Sequence, residues 1–490
     1  LIASALHCDG VQSIAKLRDE FKPLFEIADP LRPRFIAVFR HLRNAAIDAA
    51  SYLSAAHEIT RRDALLKAGG ALEEARHLAD EIYEPERSLL LAATEHWRRM
   101  FAVEGGRLAE QREVEDLPNP YVAGRPINPG DGRLFVGRRD EFRAIEEKLR
   151  TGVGLIVYGQ RRIGKTSILL HLRERLPHDL LPVYLNPQRL MAQTTGGFMH
   201  AVAREILKQL PAQPAIRIPS PEDFSREPYL SFDRVLEEIA ARLADAQRVL
   251  LAFDEFEELE MRVAAGELDR KIFTYLRGVT QTGSRFSLLF CGLHTLKEMT
   301  HDYWNPFFQS VQTVRIAYLS ELDSRQLITD PIEQFPLRYD EEAIERIAAL
   351  TRSHPYLTQS VCHNLVNRLN DPLTRSNRAT TEDADAVIER TLESSGYYFD
   401  DYVWGWSNDD QRLALSLLAE AGEETEFAVV EKYLGREAAL EATRGLVARE
   451  ILVERSEGTR LLFRFQIPLS RMWVRRTKSS ARILLERRND

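Results

Sequence analysis

Gly159-Gln160-Arg161-Arg162-Ile163-Gly164-Lys165-Thr166-Ser167 is the stretch whose reading decides the fold. It fits G-x-x-x-x-G-K-[ST] without a mismatch. Upstream, Val153 to Tyr158 is an apolar run suited to a buried parallel strand. Downstream, Ser167-Ile168-Leu169-Leu170-His171-Leu172 has the spacing of a helix. Strand, glycine loop and helix are the context in which this pattern cradles phosphate. The glycines let backbone N–H groups turn inward around phosphate oxygens, and the helix N-terminus adds unpaired donors and a positive dipole end. Lys165 supplies a point charge for the β- and γ-phosphates and the Thr166 hydroxyl a ligand for Mg²⁺. All nine residues, Gly159 to Ser167, are candidate nucleotide contacts.

Working outward, Val249-Leu250-Leu251-Ala252-Phe253-Asp254-Glu255 is an apolar run ending in two acids. Asp254, at a strand's carboxyl end, suits Mg²⁺. Glu255 beside it is placed to orient or deprotonate an attacking water, with Lys165 as the other candidate catalytic residue. Further strands are expected over 181–186, 286–292 and 311–317. Helices are expected over 197–209, 232–246 and 271–280. Strands alternating with helices give a parallel sheet with the ligand at its carboxyl edge. Leu293-His294-Thr295 lies where a polar residue senses a γ-phosphate, or is a strand-end turn. Before the core, Phe135-Val136-Gly137-Arg138-Arg139-Asp140-Glu141 opens a helix. Either Arg138 lies near the nucleotide with Phe135 and Val136 packing on a base, or this is a helix N-terminus with ordinary surface arginines.

The flanks are helical. Residues 1–116 carry helical spacing, as in Leu72, Ala75, Leu78 and Ile82, and no catalytic constellation. They read as an all-α interaction, sensor or adaptor domain, with His57, His77 and His96 solvated. A Pro/Gly-rich connector follows over 117–132, the α/β core spans 133–318, and a helical lid covers 319–395. In the lid, Ser353-His354-Pro355-Tyr356 starts a helix. Residues 396–490 read as helices 409–419, 426–434 and 437–449, then two short strands, a winged helix-turn-helix. Its recognition helix mixes Arg436, Glu437, Glu441, Arg444 and Arg449, which is poor for phosphate contact and favours packing on protein. The tail is basic through Arg471, Arg475, Arg476, Lys478, Arg482, Arg487 and Arg488, which suits an acidic partner or nucleic acid, while Trp473, Ile483 and Leu484 favour an amphipathic helix docking on protein.

The whole composition bounds the reading. Across 490 residues the net charge is −8, which argues against wholesale coating of nucleic acid. Cys8, Cys291 and Cys362 have no metal or disulfide spacing, so free thiols in a reducing cytoplasm are expected. No run approaches ~18 apolar residues, so no membrane span is expected. No signal-peptide layout opens the chain. The first residue is Leu1 rather than Met, so an earlier segment is an open expectation.

The order of parts resembles the STAND ATPases, the signal-transduction branch related to AAA+ proteins. The matching stretches are Phe135 to Glu141, Gly159 to Thr166, Val249 to Glu255, Ser353 to Tyr356 and Phe463 to Trp473, within residues 117 to 476. The resemblance implies an α/β P-loop NTPase core with a parallel sheet, a helical lid and a C-terminal winged helix. It implies Pro355 against an adenine, with Ser353 standing where the family has glycine, and Arg138 near the nucleotide. It implies ATP/ADP and Mg²⁺ as cofactors, slow hydrolysis, assembly into a homo-oligomer on activation, and a protein trigger or effector partner in bacterial regulation or defence. Two departures are visible: no sensor repeats follow the winged helix, and no effector signature occurs in residues 1–115. The expected function is an ATP-operated switch. One rival is a DNA-associated ATPase of the origin-binding or transposition type, which uses its winged helix. The other is a scaffold that holds nucleotide without turnover.

Overall fold

The computed structural model describes residues 2–25, 33–55, 58–110, 116–150, 154–190, 192–210, 216–280, 284–292 and 311–487. Five parallel strands form the central sheet: β1 (Leu155–Tyr158), β2 (Leu180–Leu185), β3 (Arg248–Phe253), β4 (Phe286–Gly292) and β5 (Gln312–Arg315), in the spatial order β2-β3-β4-β1-β5. All pairs are parallel, in a register that sets Tyr158 opposite both Gly292 and Arg315, and Phe253 opposite Phe290. Every strand therefore ends at the same edge. The loop after β1 and the acids after β3 share that edge, with the end of β4 between them.

The strands are apolar on both faces because both faces are covered. Leu155, Val157, Leu250, Ala252, Leu289, Cys291 and Val314 point to one side, packing with Phe142, Ile145, Ile168 and Leu172 of the helices Arg139–Arg150 and Lys165–Arg175. Their alternating neighbours Ile156, Val249, Leu251, Phe253, Leu288 and Phe290 point to the other side. There they meet Phe198, Val202, Phe232, Val235, Ile272 and Phe273 of the helices Thr195–Gln209, Pro228–Ala240 and Lys271–Val279. Burying one such large apolar side chain contributes about 1.5–3 kcal/mol, so a polar substitution on either face of β3 disrupts the platform under Asp254.

The strand and helix expectations hold with end shifts of one or two residues, as helix and strand ends fray, except that the helix expected over 232–246 starts earlier, at Pro228, and ends at Ala240. Val153 and Leu293-His294-Thr295 lie outside the described residues. From residue 216 on, the proline-rich stretch before β3 is more ordered than its composition suggests. Ser220 caps a short helix, Pro221–Arg226, by accepting from Asp223 N, and Pro228 starts the next. Proline there sits in the first turn, where its missing N–H costs nothing.

The described chain divides into two compact units. One comprises Leu1–Pro120, Phe335–Ala343 and Cys362–Val387; the other comprises Tyr121–Gln334, Ile344–Val361 and Ile388–Asp490. The segment expected as a lid thus contributes to both. In the first unit the helices Val11–Glu20, Pro33–Ser54, Glu58–Asp80 and Glu86–Glu110 bury Phe21, Leu42, Leu72, Trp97 and Phe101. Gly105 faces the Pro372 carbonyl so closely that a Cβ there would lie 2.5 Å from its oxygen, and Leu373 joins the same core. His96 is not solvated as expected: its Nε2 lies 2.8 Å from the Cys8 carbonyl and it is partly buried. All three cysteines are buried and none forms a disulfide.

In the second unit the C-terminal stretch forms the helices Asp409–Ala421, Ala428–Leu434 and Arg436–Ala448. A hairpin of Leu452–Glu457 and Arg460–Phe465 follows, with Thr425–Glu426 as a third antiparallel strand. Part of the basic tail is paired with other elements of the unit: Arg476 with Glu389 and Glu393, Lys478 with Asp400, and Arg487 with Asp410. No described helix is long and apolar enough to cross a membrane.

Candidate nucleotide site

At the carboxyl edge of the sheet lies a cavity of about 910 Å³ within the second unit. It is lined by all nine loop residues Gly159 to Ser167, by Asp254 and Glu255, and by Phe135, Val136, Arg138 and Pro355. Apart from Leu293-His294-Thr295, which lie outside the described residues, every residue singled out for nucleotide, metal or catalysis borders one space. The volume is that of a small-ligand or cofactor site.

The loop's shape follows from its glycines. Gly159 passes so close to β5 that a Cβ would lie 2.6 Å from the Ile316 carbonyl oxygen. Gly164 takes φ +103° and caps the helix Lys165–Arg175, a left-handed conformation glycine adopts without penalty. Lys165 Nζ donates to the Gly159 and Gln160 carbonyls at 3.0 and 2.9 Å, folding back over the loop. Desolvation lowers its pKa, opposed by Cys291, Glu257, Asp254 and Glu255 around it. An ammonium partly stripped of water attracts phosphate oxygens more strongly than one in bulk solvent.

Asp254 is buried at the end of β3. Its Oδ2 accepts from the Tyr184 hydroxyl at 2.9 Å and its Oδ1 from the Glu255 amide at 3.1 Å. Tyr184 comes from the adjacent β2, opposite Ala252. Its own pKa is raised by desolvation and by Asp254, so it stays a protonated donor. Sequence reasoning passed over Tyr184; a lone polar tip in an apolar strand beside the acidic one was the available signal. Glu255 is exposed and takes φ +47°. Desolvation, Asp254 and Glu257 raise its carboxyl pKa, the direction that makes a carboxylate a better proton acceptor. The Thr166 hydroxyl and the Asp254 carboxylate are hard oxygen donors, the set that suits Mg²⁺ completed by phosphate and water. Among the described residues no cluster of three or more His, Cys, Asp or Glu side chains forms a metal site made by protein alone.

Arg138 occupies the cavity wall, yet its guanidinium faces protein. Its Nη1 donates to the Ala317 carbonyl at 2.7 Å and to Glu141 at 2.8 Å, and its Nη2 to the Ile163 carbonyl at 2.9 Å. The side chain is 4% exposed. It is a strut tying the loop to the end of β5 and to its own helix. Phe135 stacks on His171 at 3.7 Å between centroids, and His171 Nδ1 lies 2.7 Å from the Ser167 carbonyl. The stretch expected as a plain connector is part of the wall. Val122, Gly124, Pro126 and Ile127 border the cavity, and Ile127 N donates to Ser167 Oγ at 3.0 Å.

Of the four variable loop residues, Ile163 is buried in the core and the other three reach away from it. Gln160 Nε2 donates to the Glu450 carbonyl at 3.1 Å, while its Oε1 accepts from the Tyr318 hydroxyl at 2.8 Å. Arg161 pairs with Asp401, and its carbonyl lies 3.3 Å from His354 Nε2. Arg162 stacks over the Tyr356 ring at 4.4 Å. Pro355 starts the helix Pro355–Asn370 beside them. Ser353 takes φ +56°, the left-handed region a glycine would enter freely and serine enters at about 1–2 kcal/mol.

Fold and site together define a P-loop nucleotide-binding α/β domain. Residues 134–290 match the AAA ATPase domain family, which supports nucleoside triphosphate hydrolysis as the general chemistry of that segment. No curated protein matches the chain. Among solved structures it is similar to a Walker-type ATPase of Pyrococcus abyssi, at 18% identity and TM-score 0.47, over 72% of this chain and 98% of that one. It is also similar to the Aeropyrum pernix ORC2 protein in ADPNP–ADP complexes, at 11% identity and TM-score 0.49, over 78% and 98%. A third likeness is to the Thermotoga maritima RuvB Holliday junction branch migration motor, at 15% identity and TM-score 0.36, over 69% and 94%. None of these reaches a TM-score of 0.5, and none bears on what this chain binds.

Proposed function

We propose that the protein is a STAND-type, ATP-operated switch. In this reading residues 1–116 sense or adapt, 117–132 connect, 133–318 bind and slowly hydrolyse ATP, 319–395 act as a lid, and 396–490 are a winged helix with a basic tail. Lys165 binds the β- and γ-phosphates, Thr166 and Asp254 hold Mg²⁺, and Glu255 orients or deprotonates water. Tyr184 keeps Asp254 oriented. When bound, Mg²⁺ would supply charge neutralisation at the phosphates. Pro355 and the wall of Phe135 and Val136 serve the adenine side, and Arg138 holds the loop in shape. With ADP the parts stay closed; ATP opens them and exposes faces for homo-oligomeric assembly with a protein trigger or effector, in the cytoplasm, for bacterial regulation or defence.

One observation carries this reading. The loop built for phosphates is bonded through Gln160, Arg161 and Arg162 to Glu450, Asp401, His354 and Tyr356, which lie far along the chain. A ligand that reshapes the loop acts on those contacts directly, and a differential affinity for two arrangements is what a switch requires. The DNA-associated reading draws less support, because the net charge is −8 and three of the tail's cations, Arg476, Lys478 and Arg487, pair within the protein. The test is calorimetry with ADP and ATP on the wild-type chain and on Lys165→Ala. Micromolar or tighter binding in the first and none in the second is expected. Equal binding by both proteins would refute the site.

A further inference from the structure

Glu450 puts a negative charge beside a loop that gathers phosphates. It sits in the turn between the helix Arg436–Ala448 and the strand Leu452–Glu457. It takes φ +57° there, and its amide donates to the Val447 carbonyl at 2.9 Å. In that conformation both its carbonyl and its carboxylate accept from Gln160 Nε2, at 3.1 and 3.3 Å. The same carboxylate pairs with Arg315, from the end of β5. Gln160 is the second residue of the loop, and its own carbonyl accepts from Lys165 Nζ at 2.9 Å. Glu450, Arg315, Gln160 and Lys165 all line one cavity.

Holding Gln160 does not require a charge. A neutral glutamine at position 450 offers the same acceptor, and the Glu450 carbonyl is an acceptor in any case. The pair with Arg315 contributes little stability, because the arginine side chain is 51% exposed and such pairs are worth ~0–1 kcal/mol. What the carboxylate adds is a field at the phosphate site. A triphosphate carries about one more negative charge than a diphosphate, whether or not each binds Mg²⁺. That extra charge is repelled by a fixed carboxylate nearby.

We propose that Glu450 is a specificity-determining residue that makes the closed arrangement prefer a nucleoside diphosphate over the triphosphate. The triphosphate is accommodated when Glu450, and the turn carrying it, leaves Gln160. This rests on the nucleotide-switch reading above and adds to it the residue that counts phosphates. A unit charge facing the additional phosphate charge across the cavity, screened by Arg315 and solvent, is expected to give roughly a tenfold preference.

The test measures dissociation constants of ADP and a non-hydrolysable ATP analogue by calorimetry, at saturating Mg²⁺, on the full chain. Glu450→Gln keeps the acceptor and removes the charge. The ratio of the ATP-analogue constant to the ADP constant is expected to fall roughly tenfold. Arg315→Gln, which strips the carboxylate of its neutralising partner, is expected to raise the ratio, and Glu450→Ala, which also removes the charge, carries the test if Glu450→Gln does not fold. An unchanged ratio in Glu450→Gln, with both constants moving together, overturns the proposal and leaves the nucleotide switch standing. A ratio that falls or stays level in Arg315→Gln overturns it as well. A wild-type chain that binds neither nucleotide overturns both readings.

Discussion

Replacing Arg138 by alanine separates a strut from a ligand contact. The guanidinium has three protein partners, the Ala317 and Ile163 carbonyls and the Glu141 carboxylate, all within 2.9 Å. Its side chain is 4% exposed and that of Glu141 19% exposed. Removing it orphans two carbonyls and leaves a largely buried carboxylate without its cation. Breaking a buried pair by deleting one partner costs about 3–5 kcal/mol. Since Glu141 keeps some access to water, the lower end, about 3 kcal/mol, is expected here. For a domain of this size each kcal/mol lowers the melting temperature by about 2–4 °C, so a drop of about 6–12 °C is expected. The assay is a thermal melt followed by circular dichroism, on wild type and Arg138→Ala, first without nucleotide and then with ADP. If Arg138 acts only by touching nucleotide, the melts without ligand will coincide and only the ADP-induced shift will shrink. A nucleotide-free difference under 2 °C would refute the strut.

Tyr184→Phe removes the donor to Asp254 Oδ2 while keeping the ring in β2. ATP hydrolysis should then require roughly tenfold more Mg²⁺ for half-maximal rate, with ADP affinity little changed, since losing a bond to a charged group is worth ~1.5–3 kcal/mol; an unchanged Mg²⁺ titration would place Tyr184 outside the site's function. Acid should loosen the protein through His354, fully buried, whose pKa is pulled down by desolvation to about 3 from 6.5. A depressed folded-state value means the stabilisation is present above pH 6.5 and is lost as pH falls towards 3. Each pH unit in that window costs about 1.4 kcal/mol. Denaturant midpoints at pH 7.5 and 5.5 should differ accordingly, and His354→Gln should flatten the difference; a slope equal to wild type would show that other groups govern it.

What the sequence made legible was local. The loop Gly159 to Ser167 declares itself by glycines, a lysine and a threonine in fixed order between a strand and a helix. The strands β3 and β4 declare themselves as continuous apolar runs, because each is buried on both faces. Pro355 opens its helix where its missing N–H is harmless. What stayed hidden depends on partners distant in the chain. Tyr184 matters because β2 pairs with β3, a register no local pattern encodes. Arg138 read as a surface or nucleotide arginine because its acceptor at Ala317 lies 179 residues away. The Gln160–Glu450 contact spans 290 residues, and position 160 is a variable one in the motif. The stretch 122–127 read as a connector because proline and glycine mark turns in either setting, and only tertiary packing turns it into a cavity wall.

The central claim is that the triphosphate, rather than nucleotide in general, decides how the flanking parts sit. The most direct measurement is the solution mass of Glu255→Gln protein by light scattering, with saturating Mg·ATP and then with Mg·ADP, after calorimetry has established that both bind. The account predicts a single-chain mass with ADP and a multiple of it with ATP, persisting because turnover is blocked. One mass in both states, with both nucleotides bound, would contradict it.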